Sequence, residues 1–237
     1  MVRVVVLVDD NAVSEKYKAV HGLSLYIEHE NIYLLFDLDS NEKILQHNIE
    51  NTDVNPELVD AAIISHAHAS HVGGISLIGW YSPYLTVYIP YGSIQSLGKT
   101  AKAHGLKPVE VTDWINPWPN IYVSKPIHGP PWEHFLVIKT SRGLLVFSGC
   151  MHPGVNTVLD TITSYLNAHR IYAVIGGFHL ANAPFKIVND TVKTLIEKYN
   201  VEKIVPLHCS GKQFKELLQH DYPDRYVEAG AGSVIDF

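Results

Sequence analysis

The chain has 237 residues, 46% of them hydrophobic, enough to bury one sizeable core, and a single domain over residues 1–237 is expected. Its net charge of −6, with Lys and Arg scattered rather than clustered, argues against a polyanion-binding surface and so against nucleic acid as a partner. No apolar run approaches the roughly 20 residues needed to cross a bilayer, and two cysteines, Cys150 and Cys209, do not make a disulfide framework.

The first residues, Met1-Val2-Arg3-Val4-Val5-Val6-Leu7-Val8-Asp9-Asp10, are apolar but too short for a signal-peptide core, and no small-residue cleavage site follows. They read as a first β-strand, and a soluble, cytoplasmic chain is expected. Strand candidates follow at 23–28 and 32–37. Residues 56–61 read as a short helix or turn before the apolar strand Ala61-Ala62-Ile63-Ile64, and 93–104 as an amphipathic helix. The stretches 116–120 and 128–132, rich in chain breakers and tryptophan, read as loop. A hairpin is predicted from 135–140 and 144–148, turning at Ser141-Arg142-Gly143. Helices are expected at 156–169 and 190–199, each followed by a short strand, at 173–175 and 203–206, and a last helix at 212–219. Periodicity alone gives mixed α and β, and no signal for an oligomeric state is present.

The densest chemistry lies in Ile63-Ile64-Ser65-His66-Ala67-His68-Ala69-Ser70-His71-Val72-Gly73-Gly74, where three imidazoles occupy six positions behind an apolar strand. Alternate side chains of an extended segment share a face, so His66 and His68 can converge on one ion, and a turn near Ala69 can bring His71 beside them. Neutral imidazole suits zinc and also iron, nickel and copper; the plainer alternative is a solvated histidine-rich loop. Three later strands also end in a turn bearing histidine: Ser148-Gly149-Cys150-Met151-His152-Pro153-Gly154, Ile175-Gly176-Gly177-Phe178-His179-Leu180 and Leu207-His208-Cys209-Ser210-Gly211.

The first run resembles the HxHxDH signature of the metallo-β-lactamase superfamily, with Ser70 in place of the aspartate. The later motifs resemble one branch of it, related to the dihydropterin ribofuranosyl-aminobenzene phosphate synthases. Leu34-Leu35-Phe36-Asp37-Leu38-Asp39-Ser40 resembles the superfamily's first motif, with Asp39 where a glycine is usual, and His21-Gly22-Leu23-Ser24 also looks like this branch.

The resemblance implies an α/β fold, the four-layer αββα sandwich, and His66, His68, His71, His152 and His208 as metal ligands. It implies that Asp37 supports the metal loop from behind. Cys150 falls where many members carry a bridging aspartate; it is a ligand, a neighbour of the ligands, or a small buried hydrophobe. Serine is a weak neutral ligand, so the Ser70 substitution is expected to weaken or alter a second metal position. Ser70 and His179 are the candidates for acting on the substrate directly, with His179 outside the ligand set as a proton-transfer group or held by a structural hydrogen bond. The Ser210-Gly211 turn is expected to open the last helix, either with its amino-terminal dipole helping to hold an anionic substrate group or with Ser210 as a simple N-cap.

The implied cofactor is a divalent metal, zinc first and iron or manganese also fitting, as one or two ions. The implied function is hydrolysis of a small phosphoester, pyrophosphate or lactone. Alternatives are a synthase joining a dihydropterin pyrophosphate to an aminobenzene ribosyl phosphate, for which Trp80, Trp114, Trp118 and Trp132 would form an aromatic wall, and a binding or sensing protein that has lost catalysis. A small-molecule substrate is the only partner expected, and no membrane association.

Overall fold

The computed structural model describes all 237 residues, which divide into two compact units: Met1–Thr112 with Ala229–Phe237, and Asp113–Glu228.

In the first unit the strands are β1 (Val2–Val8), β2 (Ser24–His29), β3 (Ile32–Phe36), β4 (Ala61–Ile63), β5 (Thr86–Ile89), β6 (Lys107–Glu110) and, from the chain end, β15 (Val234–Asp236). They form one sheet in the order β15-β1-β2-β3-β4-β5-β6. The valine run of β1 is buried at all but one position, as expected of a strand covered on both faces. From β3 to β6 the strands are parallel, so the connections carry helices α1 (Glu42–Glu50), α2 (Ile75–Tyr81) and α3 (Leu97–Ala103). Asn41 caps α1, its side chain accepting from the amides of Lys43 and Ile44 at 3.0 and 3.4 Å. Leu45, Ile49, Ile75, Ile78 and Leu97 pack with Leu35, Ala62 and Val87 into this unit's core.

The second unit holds β7 (Ile115–Trp118), β8 (Ile121–Val123), β9 (Ile127–His128), β10 (Trp132–Glu133), β11 (Leu136–Thr140), β12 (Gly143–Ser148), β13 (Ile171–Gly176) and β14 (Lys203–Pro206), with helices α4 (Val155–Leu166), α5 (Phe185–Lys193) and α6 (Lys212–Asp221). Its sheet runs β14-β13-β12-β11-β8-β7, with a separate β9-β10 pair. Strands β12, β13 and β14 are parallel and in register at Ser148, Gly176 and Pro206, so the turns that follow them leave the sheet at the same end. Val158, Ile162, Val188, Val192, Phe214 and Leu218 close the core beneath. No helix of the protein is long and apolar enough to cross a membrane.

Several expectations need correction. Residues 116–120 are not a loop: Pro119-Asn120 is a tight turn with Asn120 in the left-handed region (φ 64°), joining β7 to β8. Pro117 is tolerated because β7 is the edge strand. Likewise 128–132 is a bend flanked by paired residues, Trp132 opposite His128 and Glu133 opposite Ile127. The helix expected at 190–199 begins five residues earlier, at Phe185, because its buried face starts at Val188, and 194–198 forms a π-helical turn. The helix at 93–104 is shorter, Leu97–Ala103. Ser210 is not an N-cap: Gly211 holds that position for α6, and the Ser210 hydroxyl points to the carbonyls of Leu207 and Gly176.

Candidate metal centre

In the first unit the site begins where β4 ends. Ser65 follows the strand, and its backbone N–H donates to Asp37 Oδ1 at 2.7 Å while its hydroxyl donates to Asp37 Oδ2 at 2.8 Å. Asp37 is fully buried just beyond neighbouring β3. Having given its single proton to the carboxylate, Ser65 Oγ can only accept from His66 Nδ1, 2.9 Å away. His71 Nδ1 lies 2.7 Å from Asp37 Oδ2 and donates to it. One carboxylate therefore orients two imidazoles through Nδ1, the arrangement in which Nε2 is the nitrogen offered to a metal. His66 Nε2 is 3.1 Å from His68 Nδ1, and the His66 ring centroid is 4.1 Å from that of His71. The three imidazoles of the sequence motif are thus brought together by a strand end and one short 3₁₀ turn at Ala69–His71.

The surrounding turn is tightly held. Asp37 and Asp39 both adopt left-handed backbone conformations, φ 58° and 59°. Asp39 takes the conformation a glycine would adopt there, so the departure from the resembling motif leaves the turn intact. The adjustment falls on Gly22, where an added Cβ would stand 2.2 Å from Asp39 Oδ1. Gly73 and Gly74 donate to the carbonyls of Asp39 and Leu38 at 2.6 and 2.7 Å, tying the histidine loop to the Asp37 turn. Ser70 is half-buried, its carbonyl accepting from Leu23 N at 3.1 Å.

In the second unit the ends of three adjacent parallel strands carry the other candidates. The turn after β12 is held by Glu133, a residue the sequence reading did not single out. This fully buried carboxylate accepts from the backbone N–H groups of Cys150 (2.8 Å), Met151 (3.0 Å) and His152 (2.8 Å). The only sequence signal was an acidic residue set among apolar and aromatic neighbours. After β13, the His179 ring lies 4.4 Å from that of His152. After β14, buried His208 begins a 3₁₀ turn with φ 47°. Met151, His179 and His208 all hold left-handed conformations costly for residues with a side chain, at φ 62°, 54° and 47°.

Both thiols are buried and reduced. Cys209 Sγ accepts from the His179 backbone N–H at 3.3 Å, and one metal's reach, 4.8 Å, spans the donor atoms of Cys150, His179 and Cys209. The neighbouring Cys150 thiol, and after it the His179 side chain, hold Cys209 down at about 4 against burial, which pushes it up. Cys209 in turn raises His179, with burial opposing.

Three of the four tryptophans have ring partners of their own. Trp114 stacks on Tyr165 at 3.9 Å with planes 3° apart, Trp132 meets His128 edge-on, and Trp80 meets Tyr81.

The imidazole set in the first unit and the mixed imidazole–thiol set in the second both suit a borderline divalent cation such as zinc better than calcium or magnesium, which prefer oxygen. No family model matches the chain. It is 25% identical, over all of its length and 97% of the other protein, to the 7,8-dihydropterin-6-methyl-4-(β-D-ribofuranosyl)-aminobenzene-5′-phosphate synthase of Methanocaldococcus jannaschii. Among solved structures, the metal-dependent hydrolase of the β-lactamase superfamily Tm1679 superposes with TM-score 0.83 at 22% identity, covering 100% of this chain and 99% of that one. The metallo-β-lactamase fold protein YhfI of Bacillus subtilis does so with TM-score 0.71 at 13% identity, covering both chains fully. The chain therefore has the metallo-β-lactamase fold, and its resemblance to the dihydropterin synthase branch of that superfamily runs along its whole length.

Proposed function

We propose that the protein is a cytoplasmic, metal-dependent hydrolase of a small phosphoester, pyrophosphate or lactone, with zinc as its metal and His66, His68, His71, His152 and His208 as the ligands. The observation that carries this reading is the Asp37 network. A fully buried carboxylate bonded to Ser65 and His71, with Ser65 relaying to His66, orients two histidines through Nδ1, so that Nε2 is the nitrogen each would offer an ion. A core histidine with no ligand to hold does not need both of these restraints.

A divalent ion on these imidazoles would lower the pKa of a coordinated water to about 7 and polarise a phosphoryl or carbonyl oxygen. The chain's own part is to hold the rings: Asp37 keeps His71 and, through Ser65, His66 in orientation, and Glu133 fixes the backbone that carries His152. Similarity over the full chain to a synthase supports a second reading, a transferase that expels pyrophosphate. Both readings use the same ligands.

The test is metal analysis of the protein as purified, followed by turnover of model phosphodiesters, pyrophosphates and lactones. Stoichiometric zinc and hydrolysis, both lost in His68→Ala, are expected. Absence of bound metal after growth with added zinc, iron or manganese sinks the proposal. Metal without hydrolysis, but with condensation of a dihydropterin pyrophosphate, selects the synthase.

A further inference from the structure

We propose that Cys150, His179 and Cys209 together hold one thiophilic cation, zinc or a softer ion, with a donor set that includes none of the five histidines assigned above. The three residues sit in the turns after β12, β13 and β14, neighbouring parallel strands in register. Their donor atoms all lie within 4.8 Å of one another. A tetrahedral ion with metal–sulfur bonds of about 2.3 Å and metal–nitrogen bonds of about 2.0 Å needs donors roughly 3.5 Å apart, so rotation of the side chains closes the remaining gap.

Two further observations point the same way. Gly177 lets the two cysteine-bearing turns approach closely: an added Cβ would stand 2.2 Å from the Gly149 carbonyl oxygen, 2.7 Å from Cys209 Sγ and 3.1 Å from the Cys150 Cα. His179 is held in a left-handed conformation, φ 54°, with its backbone N–H on Cys209 Sγ. A backbone N–H donated to sulfur is a contact that a metal-bound cysteine accepts, and it fixes the position of Cys209 Sγ beside His179. The cysteines are 4% and 9% exposed, whereas His179 is exposed and offers the way in. Two thiolates and an imidazole leave one position open and exclude magnesium, calcium and manganese by softness. Binding releases the thiol protons to solvent. In this assignment His179 is a ligand rather than the proton-transfer group suggested by the sequence.

Cobalt(II) added to the metal-stripped, reduced protein is the probe, because a thiolate ligand gives an intense sulfur-to-cobalt charge-transfer absorption and imidazole does not. The expected result is a band that saturates at about one cobalt per chain with a thiolate set of this kind. It should disappear in Cys150→Ser and in Cys209→Ser. His179→Ala should bind at least about tenfold more weakly, and His68→Ala should keep the band. X-ray absorption of the zinc-loaded wild type, which needs no variant to fold, should show sulfur at about 2.3 Å from the metal. No band and no sulfur shell in the wild type overturns the site. So does a band that depends on Cys150 and survives Cys209→Ser, because that cysteine then serves the histidine set. The readouts are independent of turnover: a wild type that holds no metal on its histidines and hydrolyses nothing would end the hydrolase reading and leave the thiolate band to be judged by itself.

Discussion

Asp37 in the first unit and Glu133 in the second are both fully buried carboxylates beside candidate ligands, yet they act on different parts of the chain. Asp37 takes one backbone N–H, from Ser65, and otherwise bonds side chains, the Ser65 hydroxyl and the His71 ring. Glu133 takes three consecutive backbone N–H groups, from Cys150 to His152. The first device sets which ring nitrogen carries a proton, and the second sets where a loop lies. A buried carboxylate near a metal site can thus serve ligand chemistry or loop geometry, and its hydrogen-bond partners tell which.

The largest expected effect comes from removing the loop device. Glu133→Ala leaves three N–H groups, two of them buried, without this acceptor and should cost roughly 3–5 kcal/mol, read as a lower urea midpoint. Glu133→Gln, keeping one carbonyl oxygen, should cost less, roughly 1–3 kcal/mol. A Glu133→Ala protein as stable as wild type would show that the loop is held by other contacts.

Asp37→Asn should separate the two devices. We expect metal affinity to fall roughly 10–100-fold by competition against a chelator, with a smaller loss of stability than Glu133→Ala. If affinity is unchanged and only stability falls, Asp37 acts on the backbone as Glu133 does, and the contrast disappears. Ser65→Ala probes the relay alone: it removes one bond to Asp37 and the acceptor of His66 Nδ1, for roughly 0.5–1.5 kcal/mol and a weaker effect on metal than Asp37→Asn.

The smallest effect is expected at the surface. Arg3 bonds Glu28 and Asp53 at 2.6 and 2.8 Å, and its guanidinium holds Asp53 below the usual carboxylate range. A lowered carboxylate contributes stability above its unfolded value, and that contribution is lost as pH falls through the folded value. Because Asp53 is largely exposed, Asp53→Asn should cost no more than about 0.5 kcal/mol at neutral pH and nothing in strong acid, measured by thermal unfolding at both.

Much of this was legible in the chain. The valine run of β1, the hairpin of β11 and β12, and the short strand β14 followed from apolar runs bounded by turn residues. The strand-then-histidine motifs marked the turns after β4, β12, β13 and β14. What escaped was local and weakly patterned. β7 and β8 were hidden by Pro117 and Pro119, which look like breakers until the pair is placed at a sheet edge. The short helices α1 and α2 carried too few turns for a clear period. Glu133 carried no motif because its partners are backbone amides some twenty residues away, and an amide has no residue type to recognise.

By itself the sequence determined the mixed α and β character and the strand ends that carry imidazoles, because runs, turns and short-range spacing are properties of neighbouring residues; Asp37 as a support for the first of them was implied by the resemblance of its motif. Only the tertiary structure decided which nitrogen of His66 and His71 is protonated, that Gly22 makes room for Asp39, that Glu133 anchors the Cys150–His152 backbone, and that Cys150, His179 and Cys209 meet. Each of these depends on hydrogen bonds and close approaches between segments far apart in the chain, distances that are fixed only when neighbouring strands of each mixed sheet bring those segments side by side.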